Sequence, residues 1–150
     1  MLILSLPDVS QTIRLGRAFA RILRAGDQVV LRGELGCGKT TLAGAIIQAL
    51  GAPGPVKSPT YTLVEEYDLG GVRVVHADLY RLRVPAELET LGWWDYQDGR
   101  TLMLVEWPER AHGLLRADID VWLTVTDHAR QAHLQGMSPR GDEVVDSLRL

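Results

Sequence analysis

Residues 33–40, GELGCGKT, constrain this chain more than any other stretch, because they match the phosphate-loop pattern G-x-x-x-x-G-K-S/T. They lie between an apolar run, residues 28–31, and a helix-like run, residues 41–50. Glycine lets such a loop bend back and present backbone N–H groups to phosphate oxygens, and the dipole of the following helix adds to the attraction. The pattern therefore predicts a strand, loop and helix that bind a nucleoside triphosphate. A glycine-rich turn without nucleotide is the alternative.

Individual residues of the loop have separate predicted roles. Lys39 is expected to reach the β- and γ-phosphates as a mobile positive charge, and the Thr40 hydroxyl is expected to bind Mg²⁺. The other loop residues expected to contact the nucleotide are Leu35, Gly36, Cys37, Gly38 and Thr41.

The composition is typical of an ordinary soluble protein, with 46% apolar and 23% charged residues in a chain of 150. We expect one domain over residues 1–150, with an α/β fold of the P-loop NTPase type: a mixed, mainly parallel central sheet flanked by helices. No stretch approaches a membrane span, and the apolar residues 1–6 are too short for a secretory signal, so we expect a cytoplasmic protein without membrane contact. A net charge of −3 gives no general attraction to DNA or RNA.

Hydrophobic periodicity predicts the remaining elements. The predicted strands are residues 1–6, 28–32, 61–67, 72–77, 101–105, 121–125 and 130–137. The first predicted helix has Ser10 as its N-cap and stops at Gly26. The other predicted helices are residues 41–50, 85–91 and 142–150.

Two carboxylates, Asp78 and Glu106, each end a predicted strand. Nucleotide hydrolysis requires an acidic residue for the metal and a group that orients water, normally at strand ends that face the phosphate loop. We therefore predict Lys39, Asp78 and Glu106 as catalytic residues, and Thr40, Asp78 and Glu106 as the metal site. The alternatives are a turn or helix-cap role for Asp78 and a salt-bridged position at the rim for Glu106.

Three further side chains are open to two interpretations each. Arg130 follows the predicted strand 121–125, so its planar guanidinium could stack on adenine, although a surface arginine explains it equally well. His76 precedes Asp78 by two residues on the same strand face, and we favour a hydrogen-bonded histidine over a metal ligand. Trp107 is either core packing or an anchor for a partner, and we slightly favour packing.

Five local sequences, in order along the chain, resemble those of the bacterial TsaE (YjeE) family. They are residues 33–42 (GELGCGKTTL), 56–61 (VKSPTY), 76–82 (HADLYRL), 87–92 (the E-L and L-G of ELETLG) and 106–109 (EWPE). The phosphate loop alone is generic, but the S-P-T, H-x-D-x-Y-R and E-W-P-E sequences together are specific. The resemblance extends over roughly residues 5–135.

The resemblance implies a P-loop ATPase with ATP and Mg²⁺ as cofactors. TsaE proteins work with the proteins TsaB and TsaD to make threonylcarbamoyladenosine in tRNA, next to the anticodon. TsaD transfers the carbamoyl group in that system, so this chain would supply ATP-driven turnover and meet tRNA only through the complex.

Family roles carry over to matching positions of this sequence. The resemblance implies that Lys39 contacts phosphate. It also implies that Thr40, Asp78 and Glu106 arrange Mg²⁺, directly or through water, and that Thr60 belongs to a switch-like loop.

The family usually has alanine where this chain has Cys37. We interpret Cys37 as a small side chain, with an oxidation-sensitive thiol as the alternative, since a helix N-terminus can lower a thiol pKa.

Two other classes of protein share a phosphate loop. A small nucleotide or metabolite kinase would need an arginine-bearing lid, for which Arg81 and Arg83 are candidates, but no lid-sized insertion is visible. A GTPase-type switch would explain residues 68–71 (DLGG) as a D-x-x-G motif, yet the chain lacks the N-K-x-D sequence for guanine.

Overall fold

A seven-stranded sheet runs through the protein, in a computed structural model that describes residues 1–56, 58–59, 61–127 and 129–148. The strands are β1 (Leu2–Leu6), β2 (Gln28–Arg32), β3 (Val64–Leu69), β4 (Val72–Asp78), β5 (Thr101–Glu106), β6 (Ile119–Thr126) and β7 (Ala129–Gly136). The helices are α1 (Val9–Ile22), α2 (Lys39–Ala49), α3 (Glu87–Thr90), α4 (Trp93–Tyr96) and α5 (Pro139–Ser147), with a turn of 3₁₀-helix at Pro108–Ala111.

The strand order of the sheet is β1-β7-β6-β2-β5-β4-β3. The four central strands, β6, β2, β5 and β4, are parallel to one another, whereas the pairs at both margins are antiparallel. This arrangement confirms the predicted α/β fold with a mixed sheet that is parallel at its centre. Because the carboxyl ends of parallel strands lie at one edge, β2, β4 and β5 bring the phosphate loop, Asp78 and Glu106 to the same edge of the sheet.

Two hydrophobic cores lie on opposite faces of the sheet, because alternate residues of each central strand point to opposite sides. The larger core contains Leu15 and Phe19 of α1, Ile46 of α2 and alternate residues of the strands. The smaller core surrounds the buried Trp93 of α4 and includes Leu88 of α3. Within the described ranges, none of the helices has the length and apolar character needed to cross a membrane.

The N-cap predicted at Ser10 is wrong, because Asp8 caps α1. Asp8 has an extended backbone, and its carboxylate accepts a hydrogen bond from the Gln11 N–H at 3.1 Å. Ser10 lies in the first turn, where its hydroxyl donates to the same carboxylate. The helix ends at Ile22, before the predicted stop at Gly26, because the next residue is extended.

Other element boundaries also differ from the prediction. β3 begins at Val64 and not at residue 61, because Leu63 has a left-handed backbone (φ +66°) that a strand cannot contain. The last helix begins at Pro139, three residues before its predicted start at residue 142, because Ser138 supplies an N-cap. The short helix Trp93–Tyr96 was not predicted at all.

Candidate functional site

The loop between β2 and α2 depends on glycine at two positions. Gly38 is the N-cap of α2 with φ +107°, and no described side chain caps this end of the helix. A Cβ at Gly33 would lie 2.5 Å from both the Cys37 Sγ and the Leu123 carbonyl oxygen, so a larger residue would displace the loop. The N–H groups of the first turn of α2 therefore remain open to an acceptor, as in anion sites at helix N-termini.

The ammonium of Lys39 is folded back over the loop. The side chain is 4% exposed, and its Nζ donates to the carbonyl oxygens of Gly33 (2.6 Å) and Glu34 (3.0 Å). Nζ also lies 4.3 Å from the centroid of the Trp107 ring, a cation–π distance. Within the described ranges, no carboxylate forms an ion pair with Lys39. An anion would therefore be a stronger partner for this ammonium than the carbonyls that now hold it.

Glu106, the last residue of β5, has a buried carboxyl group with two hydrogen-bond partners. Its side chain is 2% exposed, and the Thr40 hydroxyl lies 2.9 Å from Oε1 and 3.0 Å from Oε2. The Nε2 of His76 lies 2.7 Å from Oε2. The predicted alternative of a position at the rim is wrong, because the Glu106 side chain is buried. The salt-bridge geometry that it does have is with the His76 imidazole and not with a described Lys or Arg.

Asp78, the last residue of β4, lies beside Glu106 and is its Cα partner in the β4–β5 register. Its Oδ1 accepts a hydrogen bond from the Tyr80 N–H at 3.1 Å, which confirms the turn role considered as an alternative. Burial raises the pKa of Asp78 above its ordinary value, and the negative charge of Glu106 adds to the rise. The same carboxyl group lines the cavity described next, so its turn role and a role in the site coexist.

A cavity of about 230 Å³ connects these side chains to the phosphate loop. The residues that line it are Leu35, Gly36, Gly38, Lys39, Thr40, Thr41, Asp78, Glu106, Trp107 and Arg130. The structure thus brings together every residue predicted for the nucleotide or metal except Cys37, which is buried behind the loop with its Sγ 3.7 Å from the Lys39 Nζ. Thr60, predicted to belong to a switch-like loop, lies outside the described residues.

Arg130 reaches the cavity from β7. A Cβ built on Gly38 would lie 3.4 Å from the Arg130 Nε, so the arginine side chain rests on the loop. That Nε is buried, and none of the described residues hydrogen-bonds to it. The arginine is therefore part of the site and not a remote surface residue.

Two relationships in the site were not predicted. Trp107 packs against the smaller core, as favoured, but its ring also covers Lys39 and lines the cavity. The only signal for this in the sequence is its position directly after Glu106. His76 is hydrogen-bonded, as predicted, but the sequence does not show that its partner is Glu106, because the pairing of β4 with β5 is a long-range contact.

The donor set of the cavity fits a magnesium-bound nucleotide. A hydroxyl and two carboxylates are the oxygen ligands that Mg²⁺ prefers, and Mg²⁺ usually takes only one or two of them while keeping water and phosphate oxygens. Among residues that the structure describes, no group of three or more His, Cys, Asp or Glu could hold a metal ion. The Lys39 ammonium, which forms no ion pair with a described carboxylate, and the open N-terminus of α2 complement a polyanion.

A glycine-rich loop between a central parallel strand and a helix, with acidic residues ending two of the parallel strands, defines a protein of the P-loop class. The crystal structure of Bacillus subtilis YdiB has the same fold, with a TM-score of 0.80, 24% identity, and coverage of 97% of this chain and 91% of that one.

Sequence comparison identifies the family. Residues 6–133 match the family model described as threonylcarbamoyl adenosine biosynthesis protein TsaE. The tRNA threonylcarbamoyladenosine biosynthesis protein TsaE of Haemophilus influenzae is 42% identical over 148 residues, which cover 95% of this chain and 94% of that protein. The protein of the same name from Nostoc is 37% identical over 134 residues, covering 86% and 82% of the two chains. The chain belongs to the TsaE family, which confirms the resemblance found in the sequence.

Proposed function

We propose that this chain binds and hydrolyses ATP as one component of the bacterial machinery that makes threonylcarbamoyladenosine in tRNA, at the adenosine next to the anticodon. The observation that carries the proposal is the hydrogen bond between the Thr40 hydroxyl and Glu106, 2.9 Å long, at the mouth of an intact phosphate loop. The pathway follows from the family, whose members are named for this tRNA modification.

The phosphates would be held by the loop and by Lys39. Backbone N–H groups of the loop and of the first turn of α2 would donate to phosphate oxygens, although that of Cys37 donates to the Glu34 carbonyl in the structure. The Lys39 ammonium would exchange its two carbonyl acceptors for phosphate. On the same cavity wall, the Arg130 guanidinium would contact adenine through its planar face. Because Arg130 rests against Gly38 of the phosphate loop and a guanidinium can stack on either purine, nucleotide competition decides between ATP and GTP.

Thr40, Glu106 and Asp78 would hold Mg²⁺, directly or through water. When bound, Mg²⁺ supplies positive charge that stabilises the phosphoryl oxygens during transfer. Asp78 lines the same cavity, and although burial raises its pKa in the metal-free protein, the charge of a bound Mg²⁺ would favour its ionised, metal-binding form. Glu106, fixed by two donors, would keep the orientation of the metal site constant.

TsaD and TsaB are the proposed protein partners, and tRNA would be reached only through the complex that they form. The net charge of −3 supports this indirect arrangement, because direct binding of a nucleic acid usually involves a strongly basic face. A partner in tRNA modification would work in the cytoplasm, without contact to membrane or DNA.

The test combines the purified chain with TsaB, TsaD and substrate tRNA, and measures ATP binding, ATP turnover and repeated tRNA modification. Lys39→Ala is expected to lose nucleotide affinity, because it removes the charge that meets the phosphates. Glu106→Ala is expected to bind ATP but to stop turnover. Glu89→Ala, at an exposed position on α3, is the matched control and should behave as the parent.

Turnover by Glu106→Ala equal to that of the parent would remove this carboxylate from the mechanism. A preference for GTP in competition would contradict the assignment and favour the GTPase-type switch. Phosphate transfer to nucleosides or nucleotides in place of hydrolysis would favour the kinase.

A further inference from the structure

His76 is a polar side chain in a fully buried position on β4. It lies on β4 between Val74 and Asp78 on the same strand face, and Val74 belongs to the larger core. The imidazole is fully buried, with 0% of its side chain exposed. An apolar side chain would fill this place without removing polar atoms from water.

The imidazole makes one polar contact within the described structure, and this contact is directed at the site. Its Nε2 lies 2.7 Å from the Glu106 Oε2, whereas its buried Nδ1 has no hydrogen-bond partner among the described residues. An ionised carboxylate only accepts hydrogen bonds, so in the metal-binding form of Glu106 the proton of this contact is on Nε2. One imidazole nitrogen of His76 thus contacts Glu106, and the other has no hydrogen-bond partner among the described residues.

Glu106 requires a second donor because Thr40 has only one proton to share. The Thr40 hydroxyl is nearly equidistant from the two carboxylate oxygens, at 2.9 and 3.0 Å, so it can satisfy one of them at a time. His76 donates to Oε2 from a different element of the fold, the strand β4. Donors on α2 and β4 together restrict the rotation of a side chain with several free torsion angles.

We propose that His76 is the positioning residue of the metal site: its hydrogen bond to Glu106 holds the carboxylate against Thr40 in the orientation that receives Mg²⁺. His76 does not line the cavity, so it acts through Glu106 and touches neither nucleotide nor metal. The inference rests on the proposed function, since it assigns a task to the proposed metal site. Outer hydrogen-bond partners of metal ligands act in this way in other proteins.

The experiment compares three variants of the full chain. His76→Leu has a similar volume but no donor, and His76→Gln keeps an amide N–H that can reach Glu106. Val74→Ala is the matched control, because it weakens the same strand face through a buried apolar residue. Each protein is characterised by its unfolding midpoint, by Mn²⁺ affinity in the presence of a non-hydrolysable ATP analogue, and by turnover with TsaB and TsaD at increasing Mg²⁺.

His76→Leu is expected to bind Mn²⁺ about 10- to 100-fold more weakly, with a matching increase in the Mg²⁺ required for half-maximal turnover. His76→Gln should recover most of the affinity. Val74→Ala should lower the unfolding midpoint and leave the metal dependence unchanged. A crystal structure of metal-free His76→Leu should show the Glu106 carboxylate turned away from the Thr40 hydroxyl.

Parent-like metal affinity in His76→Leu, or a Glu106 that stays against Thr40 in its crystal structure, would overturn the inference while leaving the proposed function intact. Equal loss in His76→Gln and His76→Leu would also overturn it, because packing and not the donor would then be responsible. If the parent itself bound neither nucleotide nor Mn²⁺, the proposed function would fail and this inference with it. If His76→Leu does not fold, His76→Gln and the parent still decide the outcome: Mn²⁺ affinity of His76→Gln within a few-fold of the parent supports the donor role, and a 10- to 100-fold loss contradicts it.

Discussion

The Thr40 hydroxyl donates to the Glu106 carboxylate across a sequence separation of 66 residues, with oxygen–oxygen distances of 2.9 and 3.0 Å. The contact depends on the sheet, because Leu31, the residue before the end of β2, is the Cα partner of Glu106 in the parallel β2–β5 pair. The chain that leaves β2 forms the loop and returns as α2, which places Thr40 above the end of β5. The Thr40–Glu106 contact thus forms only when this strand register is formed.

The first prediction concerns the effect of removing the Thr40 hydroxyl on turnover. Thr40→Val keeps the shape of the side chain, and we expect it to reduce Mg²⁺-dependent turnover about 10- to 100-fold, because the proposed metal ligand and the hydroxyl that contacts Glu106 are both lost. Thr40→Ser, which keeps the hydroxyl, should retain most of the activity. Steady-state turnover across a Mg²⁺ titration measures both. Identical titrations for Thr40→Val and the parent would exclude the hydroxyl as a ligand.

A second prediction concerns pH and Asp78. Because burial raises its pKa in the native state, the native protein binds a proton on Asp78 between pH 3.8 and the raised value, where the unfolded chain has already released it. Unfolding releases a proton in that window, so this group lowers the free energy of unfolding as the pH rises through it. Asp78→Asn removes the titration and keeps an oxygen that can accept from the Tyr80 N–H.

Asp78→Asn should therefore be more stable than the parent above this window, and the difference should shrink as the pH falls toward the ordinary pKa of aspartate. Urea denaturation at a series of pH values measures the difference. A stability difference that stays constant with pH, or that grows as the pH falls, would contradict the assigned shift.

Local sequence patterns predicted the phosphate loop and its flanking elements, because their signal lies within adjacent residues. The positions of Asp78 and Glu106 could be predicted from strand ends alone, since parallel strands deliver their carboxyl ends to one edge. The order of the strands and the register between β4 and β5 are long-range properties. The His76–Glu106 hydrogen bond therefore could not be predicted, although both residues were singled out.

The errors in the predicted elements arise where local preferences compete. Asp8 and Ser10 are both good N-cap residues, and the extended backbone at Asp8 decides between them. The start of β3 depends on the left-handed backbone of Leu63, and this conformation cannot be predicted from a leucine, which rarely adopts it. Trp107, whose ring lies over Lys39, also has a left-handed backbone, with φ +57°.

A third prediction tests Arg130 as the contact for adenine. Arg130→Ala should weaken ATP binding about 2- to 30-fold, the factor expected from a stacking contribution of about 0.5–2 kcal/mol. Binding of inorganic triphosphate should change much less, and Arg130→Lys should recover ATP affinity only in part, because lysine lacks the planar group. Isothermal titration calorimetry measures all of these affinities. Equal losses for ATP and triphosphate would instead place Arg130 at the phosphates.

A fourth prediction concerns oxidation of Cys37. Its Sγ lies 3.7 Å from the Lys39 Nζ, so an oxygen added to the sulfur would contact the ammonium proposed to meet the phosphates. Peroxide treatment that modifies Cys37, verified by mass spectrometry, should lower ATP affinity in the parent. Cys37→Ala should bind ATP normally and resist the treatment. Full ATP affinity in protein whose Cys37 is completely modified would refute the prediction.

The most direct test of the account is a crystal structure with a non-hydrolysable ATP analogue and Mg²⁺. We expect the triphosphate inside residues 33–40, and the Lys39 Nζ moved from the carbonyls of Gly33 and Glu34 to phosphate oxygens. Mg²⁺ should lie about 2.0–2.1 Å from the Thr40 hydroxyl oxygen, with the Glu106 carboxylate bound to it directly or through water. An analogue bound elsewhere, or a metal without contact to either Thr40 or Glu106, would contradict the central claim.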